Sequence, residues 1–133
     1  MSQVIIYSQN GQVAVCVPTG ELDIQTVLTK DCPPGAIIVD SETLPQGADA
    51  QFFDAWELSG STVSVNFTKA QADRLARYNA AAVQVAHTRQ LNTLAGISNA
   101  VSDTDFTNSL TAGRSAINSA NTTSQLVAVT DPA

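Results

Sequence analysis

From Phe67 to Leu94 the chain runs without a single glycine or proline. The stretch is rich in Ala, Arg, Gln and Leu, all good helix formers. Asn66 or Thr68 can cap its start, and Gly96 can close it. At ~1.5 Å per residue, a helix over about 67–95 is ~42 Å long. That exceeds the expected width of any lobe built from the residues before it.

The apolar residues of this helix fall on two stripes. Leu75, Tyr78, Ala82 and Val85 form one, at heptad-like spacing. Ala76, Ala80, Val83, His87, Leu91 and Leu94 form the other. An ordinary surface helix carries one stripe. Two stripes predict one face against the α+β lobe that precedes the helix and a second contact elsewhere. Two readings stay open: a wholly intramolecular bundle with the next helix, or a homo-oligomeric coiled coil or partner groove.

Ahead of the helix, residues 1–66 read as a small α+β lobe. Residues 4–8 are β-branched and aromatic, and residues 12–17 alternate, with Val13, Val15 and Val17 on one side. Asn10-Gly11 between them suits a type I′ turn, which needs positive φ at both central residues. Residues 21–31 predict a short helix, with Ile24, Val27 and Leu28 on one face and Lys30 in the last turn. Pro33-Pro34-Gly35 stops it. Residues 36–40 predict a buried strand, and residues 43–49 a loop. Asp49 is expected to cap a helical turn carrying Phe52 and Phe53. Trp56-Glu57-Leu58 and residues 62–66, flanking Ser59-Gly60-Ser61, predict a second hairpin.

Residues 67–133 form the helical region. Ser102 with Asp105, and Thr122 with Gln125, are capping-box pairs that open helices over about 103–119 and 123–129. Phe106, Leu110, Gly113, Ile117 and Ala120 repeat at helical spacing. The fold class expected is α+β: a small lobe containing a β-hairpin, then a long helix and two shorter C-terminal helices.

Charge is sparse and unevenly placed. Only 14% of the 133 residues are charged and the net charge is −6. Residues 1–60 hold eight acids and one base, Lys30, for −7; residues 61–133 hold four acids and five bases, for +1. An acidic chain is a poor binder of phosphate backbones, so nucleic acid is not an expected partner. The acidic half reads as a solvated surface, or as a face that docks on a basic one. No basic n-region precedes a long apolar run, so a signal peptide is not expected. No stretch approaches the ~18 apolar residues of a bilayer span, so a membrane is not an expected partner either. Cys16 and Cys32 are expected to be reduced thiols of a protein made in the cytoplasm.

The chemistry-bearing residues form no recognisable constellation. Cys16, Cys32 and His87 lack metal-ligand spacing. There is no P-loop, GxGxxG or GxSxG segment. Asp103 and Asp105 are better explained by a helix start than by paired acid–base catalysis. No enzyme, cofactor, metal or small-molecule ligand is expected.

Taken in order, several segments resemble small tail-region proteins of phages and prophages. The opening runs Val4-Ile5-Ile6-Tyr7, Asn10-Gly11-Gln12-Val13-Ala14-Val15 and Val17-Pro18. A corner follows at Lys30-Asp31-Cys32-Pro33-Pro34-Gly35, and a strand ends at Val39-Asp40. Next come Phe53-Asp54-Ala55-Trp56-Glu57, a long helix bearing Lys and Arg, Arg114-Ser115-Ala116-Ile117, and residues 122–129. Proteins of that kind are described as tail assembly chaperones or tail-fibre-associated proteins. Two features depart from the pattern. The long helix is Ala/Gln/Asn-rich rather than densely charged, and Gly113 is expected to interrupt the third helix.

The resemblance implies a non-enzymatic structural protein of the virion, associated with tail, fibre or baseplate and made in the host cytoplasm. The alternative it implies is a transient assembly chaperone that leaves the particle. Other phage structural proteins and further copies of the chain are the expected partners. The expected contact residues are Leu75, Tyr78, Ala82, Val83, Val85 and Leu91 on the long helix, with Phe52, Phe53 and Trp56 as an aromatic anchor. A place in the core is the favoured reading of those three aromatics. Residues 4–17 also offer a sheet edge for strand addition.

Overall fold

The computed structural model describes residues 2–133. The fold is α+β: five short strands and one short helix precede three further helices. The chain divides into two compact units, the first ending at Ala70 and the second spanning Gln71–Ala133.

In the first unit, β1 (Gln3–Gln9) pairs antiparallel with β2 (Gln12–Cys16) and, on its other edge, with β3 (Ile37–Asp40). Asn10 and Gly11 take φ of 54° and 79°, the left-handed pair that a type I′ turn requires. Their register places Ile6 opposite Val15 and Ile37, and Val4 opposite Val39. This face of the sheet packs on Trp56 and Val63 of a second hairpin, β4 (Trp56–Ser59) and β5 (Thr62–Val65). Ile5 points the opposite way and is fully buried, and α1 (Ile24–Asp31) packs against β1 through a face that buries Val27. β1 is thus covered on both sides, which is why Val4-Ile5-Ile6 is continuous rather than alternating.

Three local expectations are corrected here. The first helix starts at Ile24, not at residue 21. The stretch expected as loop contains helical turns: Ser41–Thr43 and Gly47–Ala55 are 3₁₀, the latter kinked at Phe52. Asp49 lies inside the longer one rather than capping it, and its carbonyl accepts the indole N–H of Trp56 at 3.1 Å. The indole is buried and needs that acceptor. The buried ring therefore fixes this segment more than any helix cap does.

The helix α2 (Phe67–Leu94) starts at Asn66, whose side chain accepts the amide of Lys69 at 3.1 Å. Asn66 Nδ2 and Lys69 Nζ both donate to Glu57 Oε1 on β4, at 2.8 and 3.0 Å. These bonds, first from Asn66 and then from Lys69, hold the Glu57 carboxyl below its ordinary pKa against a small opposing desolvation. The C-terminus closes in a Schellman motif: Ile97 N–H reaches Asn92 O, Gly96 N–H reaches Thr93 O, and Gly96 has φ 77°.

The second unit consists of the rest of α2 with α3 (Asp103–Ser119) and α4 (Thr123–Ala128). Ser102 and Thr122 cap the two shorter helices as their spacing implies, accepting the amides of Asp105 and Gln125. Few apolar side chains are buried here: Tyr78, Ala82, Ile117, Ala120 and Leu126. Polar side chains of α2 do much of the remaining work by capturing backbone carbonyls. Gln71 donates to Ile117 O at 2.9 Å, near the end of α3. Arg74, only 7% exposed, donates Nε to Leu126 O at 3.1 Å and Nη2 to Val129 O at 2.7 Å. Its Nη1 pairs with Asp131 at 2.7 Å. The guanidinium thus caps the C-terminal end of α4, where a cation is favoured and carbonyls are left without intrahelical partners.

Gly113 does not interrupt the third helix; α3 is continuous through it. A Cβ at this position would lie 2.0 Å from Tyr78 Oη and 2.3 Å from Cζ. The glycine is there because the hydroxyl end of the Tyr78 ring, 1% exposed, lies against the α3 backbone at this position and donates to Ser109 O at 3.2 Å.

Two outcomes are expected. Arg74→Ala leaves the Val129 carbonyl without its donor and the Leu126 carbonyl with only the Val129 amide at 3.3 Å, and costs about 3 kcal/mol in urea unfolding. The exposed partner Asp131→Asn costs under ~1 kcal/mol. Hydrogen exchange should show α4 opening in Arg74→Ala alone. Gly113→Ala destabilises by about 1–3 kcal/mol despite alanine's better helix propensity. A Tyr78→Ala background should remove most of that penalty, measured as a double-mutant cycle.

Candidate functional site

α2 has two faces of opposite fate. At 3.6 residues per turn, Arg74, Tyr78, Ala82, Val85 and Arg89 lie on one side. Of these, Arg74, Tyr78 and Ala82 are buried, and Val85 and Arg89 are half-buried. The opposite side carries Ala76, Ala80, Val83, His87, Leu91 and Leu94, and every one of them is exposed. The first stripe foreseen in the sequence is thus the packed one. The second faces solvent along its whole length.

The exposure is large where the side chains are large. Val83 is 65% exposed, Leu91 51% and Leu94 77%. Ile97 and Val101, in the connection from α2 to α3, are also exposed. Single exposed apolar residues are ordinary, whereas a contiguous apolar surface marks an interaction face. Ile97 and Val101 carry no periodic signal, because they lie outside the helices. Only the structure adds them to the apolar surface of this unit.

The end of α2 is tied to α3 and to the connection that leads into it. Arg89 lies over the ring of Phe106 at 4.8 Å and donates Nη2 to Asp103 at 2.6 Å. Asn99 donates to the carbonyl of Arg89 and accepts from Asn92 at 3.1 Å. The 95–102 connection is therefore tied back onto the last turns of α2. Beside it lies a groove of about 540 Å³, lined by Val85, Thr88, Asn92 and Val101 among others.

The remaining contact residues expected from the sequence divide between core and surface. Leu75 is half-buried on the packed side of α2. Tyr78 and Ala82 are enclosed within the chain's own second unit and face no partner. Phe52 and Trp56 are core residues of the first unit, 2% and 6% exposed, so they do not form a free aromatic anchor. Phe53 alone of the three is open to solvent, its ring 4.8 Å from that of Trp56 and tilted at 54°. β2 and β3 are the edge strands of the three-stranded sheet.

Among the described residues, no three His, Cys, Asp or Glu side chains are grouped to hold a metal ion, and no helix is long and apolar enough to cross a membrane. His87 is exposed on the outer face of α2. Asp103 serves the start of α3 and the ion pair with Arg89. No family model, curated protein or solved structure matches the chain.

Proposed function

We propose that this chain is a non-enzymatic structural protein of a bacteriophage particle, associated with tail, fibre or baseplate, which works by protein–protein docking. The observation that carries the docking part is the outer face of α2, where Ala76, Ala80, Val83, Leu91 and Leu94, with His87 among them, are exposed over five turns. Burying apolar surface is worth about 25 cal/mol per Å². An exposed stripe of this kind is stabilised by a partner rather than by solvent. The phage setting rests on the order of the motifs from Val4 to Val129.

The partner favoured is a second copy of the chain. Ala76 and Ala80 let two helices approach closely, while Val83, Leu91 and Leu94 supply bulk farther along. The three- and four-residue spacing of the stripe suits helix-on-helix packing. Other phage structural proteins are the second class of partner. A transient assembly chaperone is the alternative function, because the same face would shield a client before assembly.

Two measurements test the reading. Mass spectrometry of purified particles should recover the chain in stoichiometric amount; recovery only from unassembled material would transfer the reading to the chaperone. Replacing Val83, Leu91 and Leu94 together with Glu should abolish self-association in sedimentation velocity. Each site is exposed, so the melting temperature of the dilute monomer should stay within a few degrees of wild type. A triple variant that sediments and assembles like wild type would show that the outer face is not the contact.

A further inference from the structure

The two cysteines, sixteen positions apart in sequence, meet in the fold. Cys16 is the last residue of β2 and stands opposite Ile5 in the ladder, so it shares the face of the sheet covered by α1. Cys32 is the residue that ends α1, with extended backbone at φ −112° and ψ 150°. Cys32 lies close enough to Cys16 for the two thiols to act on one another. Both are free and half-buried. The Pro33-Pro34-Gly35 corner, closed by Ala36 N–H to Pro33 O at 3.2 Å, holds Cys32 in place after the helix.

We infer that Cys16 and Cys32 are a reversible redox site, at which a low-molecular-weight disulfide such as oxidised glutathione converts the thiol pair to an intramolecular disulfide. The Cys16 thiolate attacks one sulfur of the oxidant, forming a mixed disulfide and releasing one glutathione thiolate. Cys32 loses its proton to solvent and attacks the Cys16 sulfur, displacing the second glutathione. Two protein thiols are oxidised by two electrons, and one glutathione disulfide is reduced to two thiols. Desolvation, the neighbouring Cys16 and the Asp31 carboxylate all push the Cys32 thiol up. Cys32 therefore suits the resolving role better than the attacking one.

The bond would close a ring around residues 17–31, pinning α1 to the end of β2. That segment carries Val17 and Leu22, both exposed apolar side chains. Oxidation would therefore fix how this part of the first unit is presented without altering the sheet.

The test uses the full-length chain incubated in buffers of graded reduced and oxidised glutathione. Intact-mass spectrometry after acid quench should show a monomer lighter by two hydrogens, with both thiols lost to alkylation. Its melting temperature should rise by roughly 10 °C on closure of a loop this size. Cys32→Ser should stop at a mixed disulfide carrying one glutathione. Retention of both thiols under oxidising buffer would overturn the inference. So would disulfide-linked dimers as the main product, or stable addition of two glutathiones to the wild-type chain.

Discussion

The second unit depends on one buried cation. Arg74 projects from α2 where a small hydrophobic core would ordinarily place a leucine. Its three nitrogens instead collect the carbonyls of Leu126 and Val129 and the carboxylate of Asp131. A buried charge is tolerable only when its donors are satisfied, and here each nitrogen has a partner. The arrangement solves a problem of scale. α4 spans six residues, too few to be stable alone, and it buries one large side chain, Leu126. Carbonyls that would otherwise face water at its C-terminus become its attachment to α2. Gln71 does the same for the end of α3. Helix ends, not helix faces, supply much of the adhesion.

This changes how the apolar residues of α2 are to be understood. With carbonyl capture and the close Tyr78–Gly113 contact holding one side, that side needs little apolar bulk. Tyr78 and Ala82 are its fully enclosed members. The larger aliphatic residues of the helix's second half, Val83, Leu91 and Leu94, lie on the other side and are left uncovered. Hydrophobicity and burial are thus partly inverted along one helix.

Much of the fold was legible in the chain. Asn10-Gly11 specifies a hairpin by steric necessity, and a run free of Gly and Pro between Asn66 and Gly96 specifies a helix with its ends. Ser102 and Thr122 mark helix starts because their hydroxyls accept specific amides. These signals are local, so neighbouring residues suffice to read them. What was hidden depends on partners distant in sequence. Periodicity reveals two stripes on α2 and cannot say which is packed, since that is decided by Tyr78 meeting Gly113. Gly113 looks like a helix breaker until the ring lying on it is known. Phe52 and Trp56 favour a core from the sequence, with an anchor left open. The two sheets packing on each other decide for the core.

The guanidinium of Arg74 also imposes an order in time. Its carbonyl partners lie 52 and 55 residues further along the chain. Chains are made from the N-terminus at roughly 5–20 residues per second, and domains fold as their residues emerge. Every residue of the first unit precedes Gln71, so that unit has its whole core available while α3 and α4 are still to be made. During that interval Arg74 is hydrated and the inner face of α2 has nothing to hold. The face that later packs and the face that stays open are then alike in their exposure to water. Only residues made later, in α3 and α4, tell them apart.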